Sequence, residues 1–273
     1  MAKKDLRQPR PALDPALILS ELAKGSSNWR DVTVLSQVTS TNDVALARLQ
    51  EFPDAQVFAV TADEQLAGRG RLQREWTSPF GAGIALSIAI PTRLLSCPIA
   101  AIPLVVGVAV NTCLLQENVA AKLKWPNDLM IVKESGEFAK VGGILVQLQV
   151  DHVVIGIGIN VDLDLAELPT EFATSLELAG KKIQREKLIA QIICELEIAT
   201  KNNLESWHDQ YISMSCTLGN QVKVTNLKQE LLTGLAKSIT TSGALILETE
   251  NGLVEIITGD VTSLRSKEPT IID

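Results

Sequence analysis

The chain has 273 residues, 46% of them hydrophobic and 21% charged, and its 25 Lys and Arg against 32 Asp and Glu leave a net charge of -7. That composition supports a real buried core, enough for one large domain plus a small one, and excludes a fibrous or disordered chain. The acidic balance, with a pI near 5.1, also disfavours a generic phosphate-backbone binder, so nucleic acid is not an expected partner.

The N-terminus carries Lys3, Lys4, Arg7 and Arg10, but Pro9, Pro11 and Pro15 stand where a secretion signal would need an apolar core. Residues 1–29 read as a flexible arm. The pattern then predicts a strand over 32–38, a helix over 42–50 and strands over 56–61 and 84–90. The most apolar stretch, 99–115, contains Pro103, Gly107 and Asn111 and reads as a buried helix, not a membrane span. Strands follow over 122–125, 129–133, 143–150 and 153–159, with Ser135-Gly136-Glu137 as a polar turn. Strands joined by such short turns pair antiparallel, so the fold class is α+β, with a mixed, largely antiparallel sheet covered by helices. One helix is predicted over 185–207, with Leu188, Ile189, Ile192, Ile193, Leu196 and Leu204 at helical spacing. From Cys216 onward, short runs such as Val222–Val224, Gly234–Ala236 and Ala244–Glu248 suggest a small β-barrel, with the boundary near Met214. The four cysteines, Cys97, Cys113, Cys194 and Cys216, form no C-x-x-C pair and suit reduced thiols in a cytoplasmic protein.

The segment 62–83, ADEQLAGRGRLQREWTSPFGAG, is too long for an idle turn and reads as a functional loop. Gly68 and Gly70 allow close backbone approach, while Arg69, Arg71 and Arg74 can fork onto carboxylate or phosphate oxygens. A solvated basic loop is the plainer reading of G-R-G-R alone. It is not a P-loop, because G-x-x-x-x-G-K-[ST] is absent.

With Gln65 before it and Trp76 and Ser78-Pro79-Phe80-Gly81 after it, this loop resembles the glycine-rich loop of biotin protein ligases. Three further segments agree in order: Ser40-Thr41-Asn42, Lys124-Trp125-Pro126-Asn127-Asp128, and Gly156-Ile157-Gly158-Ile159-Asn160-Val161. The stretch from Leu218 to Val261 is similar to the family's SH3-like domain. The resemblance implies a class II synthetase-like catalytic domain over 30–214 and an SH3-like domain over 215–267. It also implies ATP-dependent activation of biotin to biotinyl-5'-AMP, then transfer to a lysine of a biotin carboxyl carrier protein of a carboxylase. Residues 1–31 are too few for the winged helix by which some members repress transcription, so a form without that DNA-binding domain is expected.

By the same resemblance, Lys124 and Arg69 are catalytic. Biotin is expected to meet Ser40, Thr41, Asn42, Gln65, Gly68, Arg69, Gly70, Arg71, Lys124, Gly142 and Gly143, and the nucleotide Arg69, Arg71, Trp76, Asn127 and Asn160. The metal ligands stay open, with Mg2+ expected beside ATP near Asn160. Independently of the resemblance, Ser40 to Asp43 has the S-x-x-D form of a helix start, a capping role worth about 1 kcal/mol. Strand alternation puts Leu123 and Trp125 on one face and Lys122 and Lys124 on the other, with Trp125 in the core. Asp128 reads as a turn or hydrogen-bonding residue first and a metal ligand second. Gln73 and Glu75 depart from the family loop, which commonly has glycine at the Gln73 position. The loop is expected to be mobile without ligand and to close over the adenylate. His152 and His208 have no obvious nucleophile beside them. A lipoate-protein ligase of related fold, or a non-catalytic biotin-binding or scaffold protein, remains open as the alternative. A membrane partner is not expected, and monomer and homodimer both remain possible.

Overall fold

The computed structural model describes residues 10–25, 27–133, 135–201, 205–226 and 229–263. In chain order the elements are α1 (Pro15–Lys24), β1 (Val32–Val38), α2 (Thr41–Glu51), β2 (Phe58–Arg69), β3 (Glu75–Ser78), β4 (Gly83–Pro91), α3 (Ile102–Gln116), β5 (Ala121–Lys124), β6 (Asp128–Val132), β7 (Phe138–Gln149), β8 (His152–Asn160), α4 (Arg185–Lys201) and α5 (Glu205–Met214), followed by β9 (Gln221–Asn226), β10 (Leu231–Ile239), β11 (Leu245–Thr249), β12 (Gly252–Ile256) and β13 (Gly259–Ser263).

The large sheet runs β1-β2-β4-β8-β7-β6-β5, with β3 pairing off β2. Only β1–β2 is parallel, with α2 as its crossover, and the other pairs are antiparallel. Every residue of the central strand β4 is buried. A strand this apolar needs cover on both faces. On one face α2 packs Ala45 and Leu49 over Phe58, Val60, Ala89 and Val154. On the other, α3, α4 and α1 close the main core over Leu86, Ile88, Ile155 and Ile157. Helix α3 is apolar around its whole circumference and buries eleven of its residues, as a helix sandwiched between sheet and helices must. Among the described residues it is the one helix long and apolar enough to cross a membrane, and it is a core helix here. The second, five-stranded sheet, β12-β11-β10-β9-β13, is wholly antiparallel and forms the SH3-like C-terminal domain.

Three expectations are corrected. Residues 10–25 of the supposed flexible arm carry α1, which starts at the N-cap Asp14 and buries Ile18 and Leu22 completely; residues 1–9, with Lys3, Lys4, Arg7 and Pro9, lie outside the described residues. The loop read over 62–83 is largely strand, because β2 continues to Arg69 and doubles back as β3, leaving a tight 3-10 turn at Arg71–Gln73. The single helix over 185–207 is two helices, α4 and α5, with Leu204 outside the described residues.

Arg10 and Arg185 fasten the N-terminal segment. Arg10 pairs with Asp162 and Glu167, and its hydrogen bond to Glu167 raises the guanidinium pKa above its ordinary value. Arg185 pairs with Asp63 at 3.0 Å, with side chains 6% and 3% exposed. The same Asp63 oxygen accepts from Leu13 N–H at 2.9 Å, and Arg185 donates to Pro11 O and Gly83 O. Removing one partner of such a buried pair strands the other charge in a medium that cannot solvate it. Asp63→Ala is therefore expected to lower the unfolding free energy by about 3–5 kcal/mol, read as the urea midpoint shift at unchanged m-value. A loss under about 1 kcal/mol would show that Arg185 finds water instead.

Candidate active site

On the α2 side of the large sheet lies a cleft of about 290 Å3. Its floor is made of cross-strand rows: Ala85, Gly158 and Gly143 lie side by side on β4, β8 and β7, and one step along come Gly156 and Leu145, with the buried Ser87 of β4 beside Gly156 but outside the lining. The glycines make the trough. A Cβ on Gly156 would stand 2.5 Å from Asn42 Oδ1, and one on Gly158 would stand 2.5 Å from Trp76 Cε2. The first turn of α2 and the β2–β3 hairpin therefore reach the sheet only because these two positions lack side chains.

The end wall is the start of α2. Gln65 Oε1 accepts from both Thr41 N–H at 2.8 Å and the Thr41 hydroxyl at 3.1 Å. Ser87, fully buried, places its hydroxyl 2.7 Å from Thr41 Oγ1 and 2.6 Å from Asn42 Oδ1. Asn42 Nδ2 donates to Gln147 Oε1 at 2.6 Å. Ser40 is the helix N-cap by position, but its side chain makes no capping hydrogen bond. That corrects the expected capping role. A helix-start N–H is satisfied from β2 by Gln65 instead, and Asp43 in the first turn ion-pairs with Arg69.

Five cations line the cleft, Arg69, Arg71, Arg74, Lys124 and Lys140, against the carboxylates of Glu75, Asp128 and Asp260. Arg69 is taken by Asp43, Arg74 by Asp260, and Lys140 by Asp128 at 2.6 Å. Arg71 donates to Thr258 Oγ1 at 2.7 Å, Gly259 O at 3.2 Å and Asn127 Oδ1 at 3.4 Å, which ties the hairpin to the C-terminal sheet. Burial lowers the Arg71 pKa from its ordinary value, with Asp260 and Asp128 opposing that shift. Among the described residues Lys124 is the cleft-lining cation without an ion-pair or hydrogen-bond partner. It sits at the end of β5, beside Trp125, whose ring is 1% exposed and whose Nε1 donates to Gly243 O at 3.0 Å. Asn127 Nδ2 donates to Ile144 O and fixes the following turn to β7.

Of the residues predicted from sequence, Ser40, Thr41, Asn42, Gln65, Arg69, Gly70, Arg71, Trp76, Lys124, Asn127 and Gly143 come together on this cleft. Gly68 and Gly142 lie behind it, the first against the Trp76 carbonyl and the Gln65 amide, the second against Gly158 O and Leu129. Asn160 stands apart: it is buried, its Nδ2 donates to Thr174 O at 2.9 Å, and it does not line the cleft. Its amide nitrogen secures the 174 loop. Sequence reasoning missed Ser87, Gln147, Lys140, Asp43 and Asp260. A lone hydroxyl in the apolar run GIALSIAIP was a usable signal for Ser87, and Gln147 continues the face of Gly143 and Leu145.

The comparisons with known proteins come down on one family. The chain is 30% identical to the biotin--[acetyl-CoA-carboxylase] ligase of Mycobacterium tuberculosis over 94% of this chain and 97% of that protein. The chain belongs to the biotin protein ligases. A family model for the biotin/lipoate A/B protein ligases matches residues 34–160, and one for the biotin protein ligase C-terminal domain matches 217–262. The bifunctional ligase/repressor BirA of Escherichia coli is 33% identical over 96% of this chain and 81% of that protein. Among solved structures, the biotin protein ligase of Aquifex aeolicus in complex with biotin and ATP superposes with a TM-score of 0.73 at 30% identity, covering 87% of this chain and all of that one.

Among the described residues, neither histidine nor Cys216 is poised as a covalent nucleophile at this site. His152 Nε2 and His208 Nε2 are spent on the carbonyls of Ala55 and Ile239. Burial pushes the Cys216 thiol, near Lys124, up to about 11 even though both Lys124 and Lys122 oppose the shift. A thiol raised that far is neutral at working pH and its reactive thiolate appears only as pH approaches that value. Alkylation of Cys216 by iodoacetamide is thus expected to accelerate about tenfold per pH unit from pH 7 to 10, followed by peptide mass spectrometry. A rate already flat at pH 8 would mean the thiol is not raised.

Proposed function

We infer that the chain is an ATP-dependent biotin protein ligase with a catalytic domain over 30–214 and an SH3-like domain over 215–267. The observation that carries the reading is a cleft with hydrogen-bonding groups at the start of α2, an uncommitted lysine at the end of the edge strand β5, and arginines on the β2–β3 hairpin. That layout suits a substrate with a neutral polar head, a carboxylate tail and a polyphosphate partner. Ser40, Thr41, Asn42 and Gln65 take the ureido ring of biotin, and the tail carboxylate is drawn to Lys124. Arg69, Arg71 and Asn127 face the nucleotide phosphates, with the Trp76 face against the adenine.

The reaction is two transfers. A biotin carboxylate oxygen attacks the α-phosphorus of ATP, the bond to the β-phosphate oxygen breaks, and pyrophosphate leaves. A deprotonated lysine amine of the carrier then attacks the acyl carbon, forming the amide and expelling AMP. In the first step two anions must approach, and a fixed cation between them offsets their repulsion as charge builds. Lys124 needs no partner to be displaced first, whereas Arg69, Arg74 and Lys140 must each leave a carboxylate. The β2–β3 hairpin, held at its rim by Arg71 and Arg74, excludes water from the mixed anhydride.

Mg2+ enters as the counterion of the nucleotide phosphates. Among the described residues no three His, Cys, Asp or Glu side chains converge to hold it. The acceptor in this reading is the carrier domain of a biotin-dependent carboxylase, and the unpaired cysteines fit a reducing cytoplasm.

Biotin-dependent exchange of labelled pyrophosphate into ATP tests the assignment, with lipoate as the comparison acid. Exchange with biotin alone is expected, exchange with lipoate alone would transfer the assignment to the lipoate ligases, and none with either would overturn it. Lys124→Ala is expected to lower kcat for this exchange about 10²- to 10³-fold while changing biotin affinity without ATP by less than about tenfold. Equal losses in both would reduce Lys124 to a binding residue.

A further inference from the structure

The polar end of the cleft has a definite hydrogen-bond polarity, set for Asn42 by residues that do not line it. The Gln65 carbonyl oxygen is taken up by the Thr41 N–H and hydroxyl, which leaves the Gln65 amide its two N–H donors. The Asn42 carbonyl oxygen faces the Ser87 hydroxyl, and one Asn42 N–H is spent on Gln147 Oε1, which leaves the other. Both amides thus have their acceptors engaged from behind and donors to spare. Asn42 cannot rotate freely to exchange its ends, because it is buried and packed on Gly156 and each end already has a complementary partner.

We propose that Gln147, with Ser87, is a positioning residue for biotin: together they lock the Asn42 amide so that the polar end of the cleft offers N–H groups and selects a carbonyl oxygen. The inference rests on the biotin ligase reading and deepens it. Neither residue lines the cleft, and both meet Asn42 from behind its lining. Gln147 is the next residue after Leu145 on the same face of β7, one step past the cleft wall, and Ser87 lies in the row beneath, beside Gly156. The chemistry that fits is a cyclic urea whose oxygen accepts. A ring with N–H in place of that oxygen sets a donor against the Asn42 and Gln65 donors and is disfavoured, because unpaired buried donors are costly.

The test is steady-state pyrophosphate exchange with biotin and with 2-iminobiotin, in which an imino N–H replaces the ureido oxygen. Gln147→Met removes the acceptor and lets the Asn42 amide turn, so KM for biotin is expected to rise about tenfold with kcat within about twofold, and the preference for biotin over 2-iminobiotin to fall by about tenfold. Gln147→Glu keeps an acceptor oxygen at the same place and is expected to retain both values. Ser87→Ala, which frees the Asn42 oxygen, is expected to behave as Gln147→Met does. An unchanged KM and preference in Gln147→Met would overturn the proposal, as would equal damage in Gln147→Met and Gln147→Glu, which would mark a packing role. Absence of exchange in the unaltered protein would instead defeat the ligase reading itself, before any substitution is compared.

Discussion

Setting the first turn of a helix against the buried face of a sheet removes N–H groups and short polar side chains from water, and each one left unpaired costs about 1–3 kcal/mol. Here the solution is a chain of hydrogen bonds through Gln65, Thr41, Ser87, Asn42 and Gln147, which crosses from β2 through α2 to β4 and β7. The glycines of β8 let that chain lie flat on the sheet. The polar end of the cleft is therefore a by-product of satisfying a buried helix start, and the rest of the site is arranged relative to it. Because the partners come from four elements, the arrangement forms only when the sheet has its final register.

The electrostatics of the site work in the opposite way, through groups held near the rim. Arg69, Arg74 and Lys140 are neutralised in pairs, while Lys124 stands without a partner at the end of a strand whose neighbour Trp125 donates to Thr217 and Gly243 of the C-terminal part. Such pairing keeps the arginines ordered at modest energetic gain, since pairs this exposed are worth about 0–1 kcal/mol and exchange readily for phosphate. The C-terminal sheet takes part through Thr258, Gly259 and Asp260, which receive Arg71 and Arg74. The small domain thus closes the cleft rather than merely following it.

How much of this was legible in the sequence depended on distance along the chain. The strands around β4 and β8 and the apolar helix α3 announced themselves because hydrophobic pattern is local, and they matched to within a few residues. The S-T-N, G-R-G-R and K-W-P-N-D segments could be read because each carries several functional groups together. Ser87 and Gln147 offered only their residue type and strand face, and their partnership with Asn42 was hidden because those bonds span 45 and 105 residues. The same reason hid α1, whose burial depends on α4, and the strand character of 62–69, where polar residues in a hairpin look like loop. Asn160 shows the converse: it sits inside a readable motif, yet its amide nitrogen donates to Thr174 O, a partner no motif names.

The account stands on a cleft built to join a carboxylate to the α-phosphate of ATP and to shelter the product. The most direct measurement is isolation of that product: protein, biotin and magnesium with ATP labelled at the α- or the γ-phosphate, no carrier, then rapid gel filtration. The account predicts α-label and biotin retained in equal amounts as one biotinyl-5'-AMP per chain, no γ-label, and release of AMP when a carrier lysine is supplied. Retention of γ-label, or release of ADP in place of pyrophosphate, would contradict it.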